Sequence, residues 1–147
     1  MPELLRFSQV HSYAHQDSAI TVPVILHSGG REVDLVASLD TGAAYCLFER
    51  TYADILGLSV EAGVPTWFHT ANSHFEAFGH ELTIRVLGVE TFALVYFFAD
   101  AMIRKNVLGR RGWIDRHCIG LVVRPVFERA ELAFGERIVV RQVGASM

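Results

Sequence analysis

Short apolar runs with a period of two, separated by turn residues, dominate the chain. Residues 19–27 are rich in Ile, Val and Thr, and Ser28-Gly29-Gly30 follows as a tight turn. In 31–39, Val33, Leu35, Ala37 and Leu39 alternate with polar or small neighbours. That pattern predicts a β-hairpin whose second strand runs directly into Asp40. Pro23 has no N–H to give to a ladder, so it is expected at an edge or a bulge. Over 48–58 the period changes: Phe48, Tyr52, Ile55 and Leu56 share one helical face, and Gly57 is placed to end the helix. Residues 66–70 and 75–87 predict a long hairpin turning at Ala71-Asn72-Ser73. Leu87-Gly88 opens another turn, and 89–98 reads as a strand buried on both faces. Val107-Leu108 is a short apolar pair before Gly109, 110–116 reads as a second short helix, and 118–124, 131–134 and 137–143 read as strands. The expected fold class is all-β with two short helices, in a single domain over 1–147.

Composition narrows the classes of function. The 147 residues suffice for one domain with a core of ordinary size. Hydrophobic residues make up 51% and charged residues 20%, which fits a folded chain and excludes a disordered one. Mean hydropathy is slightly positive, as a full core or an apolar surface covered by a second subunit would give. The formal net charge is -3, and Arg104-Lys105 and Arg110-Arg111 are the only basic pairs. No stripe suits a phosphate backbone, so nucleic acid is not an expected partner. The apolar stretch from Phe92 to Ala99 is far shorter than the roughly 20 residues of a membrane helix. Met1-Pro2-Glu3 opens without the positive flank of a secretory leader. Cys46 and Cys118 stand outside any CxxC arrangement and suit a reducing compartment better than a disulfide framework. A cytoplasmic chain with no membrane partner is expected. His69, His74 and His80 gather around the second hairpin, and His11 and His15 stand four apart. No carboxylate or thiol completes a ligand set with them, so no metal and no cofactor are expected.

The segment that carries chemistry is Leu39-Asp40-Thr41-Gly42-Ala43. A carboxylate at the end of an apolar strand is costly to bury unless something satisfies it. Gly42 lets the backbone turn sharply, bringing its N–H near that carboxylate, and Thr41 can turn its hydroxyl toward a subunit boundary. Taken alone, these residues favour the plainer reading of an Asp-Gly turn in which Asp40 caps the helix that follows.

In context, the segment resembles the retropepsin-like aspartic proteases, the single-domain relatives of pepsin. Their order is an apolar strand, Asp-Thr-Gly-Ala, a short helix, a flap hairpin, and an apolar-apolar-Gly turn leading into a second helix. This chain carries those parts in that order. They are Leu39-Asp40-Thr41-Gly42-Ala43, the helix ending at Gly57-Leu58, the hairpin about Ala71-Asn72-Ser73, and Val107-Leu108-Gly109-Arg110. The opening hairpin, with Ile20-Thr21-Val22-Pro23-Val24 and Gly29-Gly30, also matches, and the resemblance spans about 18–134.

The resemblance implies a retropepsin-like acid-protease barrel with one lobe per chain. It makes Asp40 the catalytic residue, with Thr41, Gly42 and Ala43 shaping the site and Val107, Leu108 and Gly109 as the second glycine turn. Ala71, Asn72 and Ser73 would lie over an extended peptide or protein substrate. The family's chemistry needs two aspartates, and the chain has one Asp-Thr-Gly, so the second is Asp40 of another copy in a C2 homodimer. Two carboxylates about 3 Å apart share one proton. The charged one activates a water, and the protonated one polarises the scissile carbonyl. Many pepsin-like lobes have Ser or Thr where this chain has Ala43. Without that hydroxyl to stabilise the ionised dyad, a mildly acidic optimum is expected rather than a strongly acidic one.

An alternative within the same fold is a catalytically inactive dimeric peptide- or protein-binding module. Two departures point toward it. The flap tip has no glycine, although Asn72 can accept a left-handed turn conformation. Retroviral members also carry an Asp where this chain has Ala44, and that Asp pairs with the Arg after the second glycine, here Arg110. Trp67, Phe68, Phe75 and Phe78 are read as core and dimer packing ahead of a substrate cleft. Cys46 is read as a buried thiol rather than a nucleophile. Residues 4–11 or 137–143 are the candidate interface strands.

Overall fold

The computed structural model describes residues 4–14, 17–124, 129–135 and 137–138. The chain divides into two units, Ala19–Asp115 and Met1–Ser18 with Arg116–Met147. In chain order the strands are β1 (Leu4–Leu5), β2 (Gln9–Ala14), β3 (Thr21–Ser28), β4 (Arg31–Leu39), β5 (Leu47–Phe48) and β6 (Val64–His69). After them come β7 (His74–Val86), β8 (Val89–Phe98), β9 (Val107–Leu108), β10 (Cys118–Arg124), β11 (Arg129–Gly135) and β12 (Arg137–Ile138). Among the described residues one α-helix, α1 (Arg50–Ile55), and 3-10 turns at Val60–Ala62 and Ile114–Arg116 accompany the strands.

In the Ala19–Asp115 unit the strand order is β3-β4-β9-β5-β8-β7-β6, and β3 also pairs with β7. That extra pairing closes six strands on themselves and leaves β6 attached to β7 alone as a projecting hairpin. β7 is long enough for both tasks: 74–79 pair with β6 and 83–85 pair with β3. The β3–β4 hairpin forms as its alternation predicts, with Val22, Val24, Leu26, Leu35 and Ala37 buried. Gly29 and Gly30 take the positive φ values, 56° and 79°, that a two-residue hairpin turn requires. Pro23 is exposed and opposite Val36, and β3 gains its second neighbour only from Ile25 onward. The missing N–H therefore falls at an edge. β8 runs between β5 and β7 and is buried on both faces only over 95–98; nearer its start Phe92 is exposed. Phe48, Phe97, Phe98 and Trp113 are the largest side chains fully buried in this unit, each contributing ~1.5–3 kcal/mol of apolar transfer.

Both helix expectations need correction. Phe48 belongs to β5, and α1 has six residues, so its buried contacts come from Ala53 and Leu56 while Ile55 is exposed. Gly57 does end the helix, with φ 74°. The helix expected over 110–116 is only the 3-10 turn Ile114–Arg116. Gly112 sits at φ 108°, outside the helical region, and the N–H groups of Arg110 and Arg111 are given to Ala43 and Ala44.

In the other unit β10, β11 and β2 form an antiparallel sheet, and β1 pairs with β12. Ala130, Leu132 and Phe134 are buried, and His117 meets Phe134 edge-on at 5.7 Å. The segments expected to serve a second chain are engaged within this one where they are described. Leu4 and Leu5 lie opposite Ile138 and Arg137, and Gln9 to His11 lie opposite β11. Residues 139–143 lie outside the described residues.

Candidate active site

Asp40 stands where β4 ends beside the short parallel strand β9. The pairing sets Ser38 opposite Val107 and Leu39 opposite Leu108. One step further the Asp40 N–H donates to the Leu108 carbonyl at 3.1 Å. The chain then turns: the Ala43 N–H donates back to the Asp40 carbonyl at 3.2 Å, and the Gly42 N–H donates to Asp40 Oδ1 at 2.8 Å. Asp40 thus satisfies one carboxylate oxygen within its own turn while the side chain stays half-exposed. Thr41 is exposed, and its hydroxyl has no hydrogen-bond partner among the described residues.

The second glycine turn is stitched onto this loop. Arg110 N–H donates to the Ala43 carbonyl and Arg111 N–H to the Ala44 carbonyl, both at 2.9 Å, and Tyr45 bridges to Arg111. Gly109 lies so close beneath that a Cβ there would overlap the Tyr45 carbonyl and reach within 3.0 Å of the Ala43 carbonyl. Only glycine permits this approach. Asp40, Thr41, Gly42 and Ala43 are therefore brought together with Val107, Leu108 and Gly109, which lie far away in sequence.

Two residues passed over by the sequence reading support the loop. Asn106 accepts the Ser38 N–H on its carbonyl and the Glu49 N–H on its Oδ1, and it donates to the Glu49 carboxylate. It thereby ties the start of α1 to the approach to β9. Tyr45 accepts a hydrogen bond from Arg111 at 2.8 Å, with the guanidinium carbon 5.3 Å from its ring centre. An aromatic two residues past Ala43 and a downstream arginine pair were the available signals. Arg110 is exposed and makes no ion pair among the described residues.

The flap is the β6–β7 hairpin. Ala71, Asn72 and Ser73 are exposed at its tip, and no hydrogen bond among the described residues joins them to the Asp40 loop. The tip closes without glycine and without a left-handed Asn72: Leu87 is the non-glycine residue with positive φ. A hydroxyl clasp does the work. Thr70 N–H donates to the Ser73 carbonyl at 2.7 Å, and Ser73 N–H donates to Thr70 Oγ1 at 3.1 Å. The side-chain oxygen replaces a carbonyl, a local competition at which Ser and Thr excel.

Below the tip the flap's two faces differ. Phe68 and Phe75 stack at 5.4 Å on the inner face; Phe68 meets Tyr45 and Tyr96 edge-on, and Phe75 meets Phe98 at 5.0 Å. They pack on a cluster of Leu47, Ala77, Tyr96, Phe98 and Val107 that also receives Ala43 and Tyr45. The flap base and the Asp40 loop thus share one apolar floor. Phe78 is core, whereas Trp67 points outward, 56% exposed. Among the described residues no three His, Cys, Asp or Glu converge to hold a metal ion. His80 is committed elsewhere, its Nε2 2.9 Å from the Val60 carbonyl.

Both cysteines are free, Cys46 fully buried and Cys118 partly so. Burial pushes the Cys46 thiol up to about 11 from an ordinary value of 9.0. A group in that state is no nucleophile at neutral pH. The folded chain keeps this proton where the unfolded chain has lost it, so stability should fall as pH rises between about 9 and 11. Denaturant melts across that range test this, with the Cys46→Ala protein expected to lose the slope.

No family model and no curated protein matches the sequence. Solved structures do match the fold. A retropepsin-like aspartic protease from Rickettsia conorii superposes with a TM-score of 0.60 at 16% identity, covering 86% of this chain and 98% of that one. EIAV protease, complexed with the inhibitor HBY-793, superposes with a TM-score of 0.50 at 20% identity, covering 65% of this chain and 85% of that one. At such identities the likeness is one of backbone, and it agrees with the closed sheet, the projecting hairpin and the two stitched turns: the chain has the retropepsin-like fold.

Proposed function

We propose that the chain is an aspartic endopeptidase that hydrolyses peptide bonds with a dyad of two Asp40 carboxylates, one from each subunit of a homodimer. The observation that carries this reading is the Asp40 turn. One carboxylate oxygen is held by the Gly42 N–H while the side chain stays half-exposed, beside an exposed Thr41 hydroxyl. A site so built has half of the acid–base pair that water activation needs, and a two-fold axis supplies the other half. With one proton shared, the ionised carboxylate takes a proton from water as that water attacks the scissile carbonyl. The protonated partner polarises the carbonyl oxygen, and the departing nitrogen is then protonated. Thr41, Gly42 and Ala43 shape the loop; Val107, Leu108 and Gly109 hold it from below. Ala71, Asn72 and Ser73 cover an extended peptide. A cytoplasmic location belongs to the same proposal, supported by two free thiols.

Incubation with a mixed peptide library between about pH 3 and 8 tests the reading. Cleavage blocked by a statine-type inhibitor is expected. Intact peptides throughout would instead favour the inactive binding module, which the lack of an ion-pair partner for Arg110 among the described residues motivates. A mildly acidic optimum is expected from Ala43, and Ala43→Ser should move the pH–rate profile toward acid by roughly one unit, worth about 1.4 kcal/mol. A wild-type optimum near pH 2 would contradict this.

A further inference from the structure

We propose that the outer face of the flap binds a divalent transition-metal ion of the zinc–copper class between His69 and His74. This site is independent of the protease reading. The two residues lie directly opposite each other on β6 and β7, one position in from the tip. The Thr70 N–H to Ser73 carbonyl bond marks that pair as the hydrogen-bonded one. His69 and His74 therefore occupy the neighbouring non-hydrogen-bonded position, where facing side chains come closest in an antiparallel pair.

Both residues are exposed, so water and ions reach them. Their ring centres are 6.1 Å apart, with planes inclined by 36°. A metal bound at about 2.1 Å from a ring nitrogen stands about 3.2 Å from that ring's centre. Twice that reach spans the observed gap, so one ion can touch both imidazoles with small side-chain adjustments. Imidazole suits zinc, copper and nickel, and among the described residues no third ligand joins the pair. Water would fill the remaining positions. The clasp beneath fixes the hairpin register, so the pair is held ready before the ion arrives. Bound, the ion would staple the two strands at the tip, slowing its opening.

The chain carries its own reporter. Trp67 is 56% exposed on the same face, with its ring 5.5 Å from His74, while Trp113 is fully buried. Titrating the full chain with Cu2+ should quench Trp67 emission saturably at one ion per chain, and redox-silent Zn2+ should compete and restore it. His69→Ala and His74→Ala should each abolish the saturable phase, while Trp67→Phe should remove the signal itself. In parallel, Zn2+ should slow amide exchange at Thr70–Ser73 in the wild-type protein and leave it unchanged in His74→Ala. An undiminished quench in both histidine variants, or no saturable quench in the wild type, would overturn the site.

Discussion

Replacing Asp40 by Asn is expected to lower kcat/KM by at least about 10³-fold while leaving the fold and the association of chains unchanged. The reason lies in the local bonding. Asp40 receives one hydrogen bond on its side chain, from the Gly42 N–H, and an Asn Oδ1 can accept the same bond in the same place. Asp40 is also half-exposed and forms no ion pair among the described residues, so removing the charge strands no buried partner. What Asn cannot do is take a proton from water. Activity and melting temperature should therefore separate: the first lost, the second held. Cleavage by Asp40→Asn at the wild-type rate would remove Asp40 from the chemistry.

Gly109→Ala should have the largest effect on stability, about 3 kcal/mol, or a fall in melting temperature of roughly 10 °C. The added methyl would overlap the Tyr45 carbonyl and crowd the Ala43 carbonyl. Neither can swing aside as a side-chain tip could. Relief requires separating the 108–111 turn from the 40–45 loop and losing the Asp40, Arg110 and Arg111 N–H bonds that join them. Gly42→Ala is the natural comparison. There the new Cβ would stand 3.1 Å from Asp40 Oδ1, an atom that can rotate away, so the cost should be smaller and should fall on activity first. Equal melting temperatures for Gly109→Ala and the wild type would show that the two turns are not stitched as described.

Much of this was legible in the sequence because the signals were local. Period-two alternation in 31–39, ended by Asp40 and flanked upstream by Gly29-Gly30, gave the first hairpin. Ala71-Asn72-Ser73 gave the flap, and Val107-Leu108-Gly109 gave the second turn. The misreadings share a cause. The 110–116 segment looked helical, but Gly112 breaks it with φ 108°, in a turn bonded to a loop far away in sequence, and no local pattern reports that. Ile55 fell outside the core because α1, at six residues, is too short for helical periodicity to be decisive. The faces of the flap aromatics became readable only once the register set Phe68 against Phe75 and Trp67 against Glu76. Thr70 went unnoticed because a hydroxyl standing in for a carbonyl looks, in sequence, like an ordinary polar turn residue.

The central claim is a catalytic centre made of two identical halves. Calorimetric titration of the purified protein with a statine-type inhibitor tests it most directly, because the stoichiometry counts chains per site. Binding of one inhibitor per two chains, lost in Asp40→Asn, is the predicted result. One inhibitor per chain, or tight binding that survives the Asp40 substitution, would contradict a dyad shared between subunits.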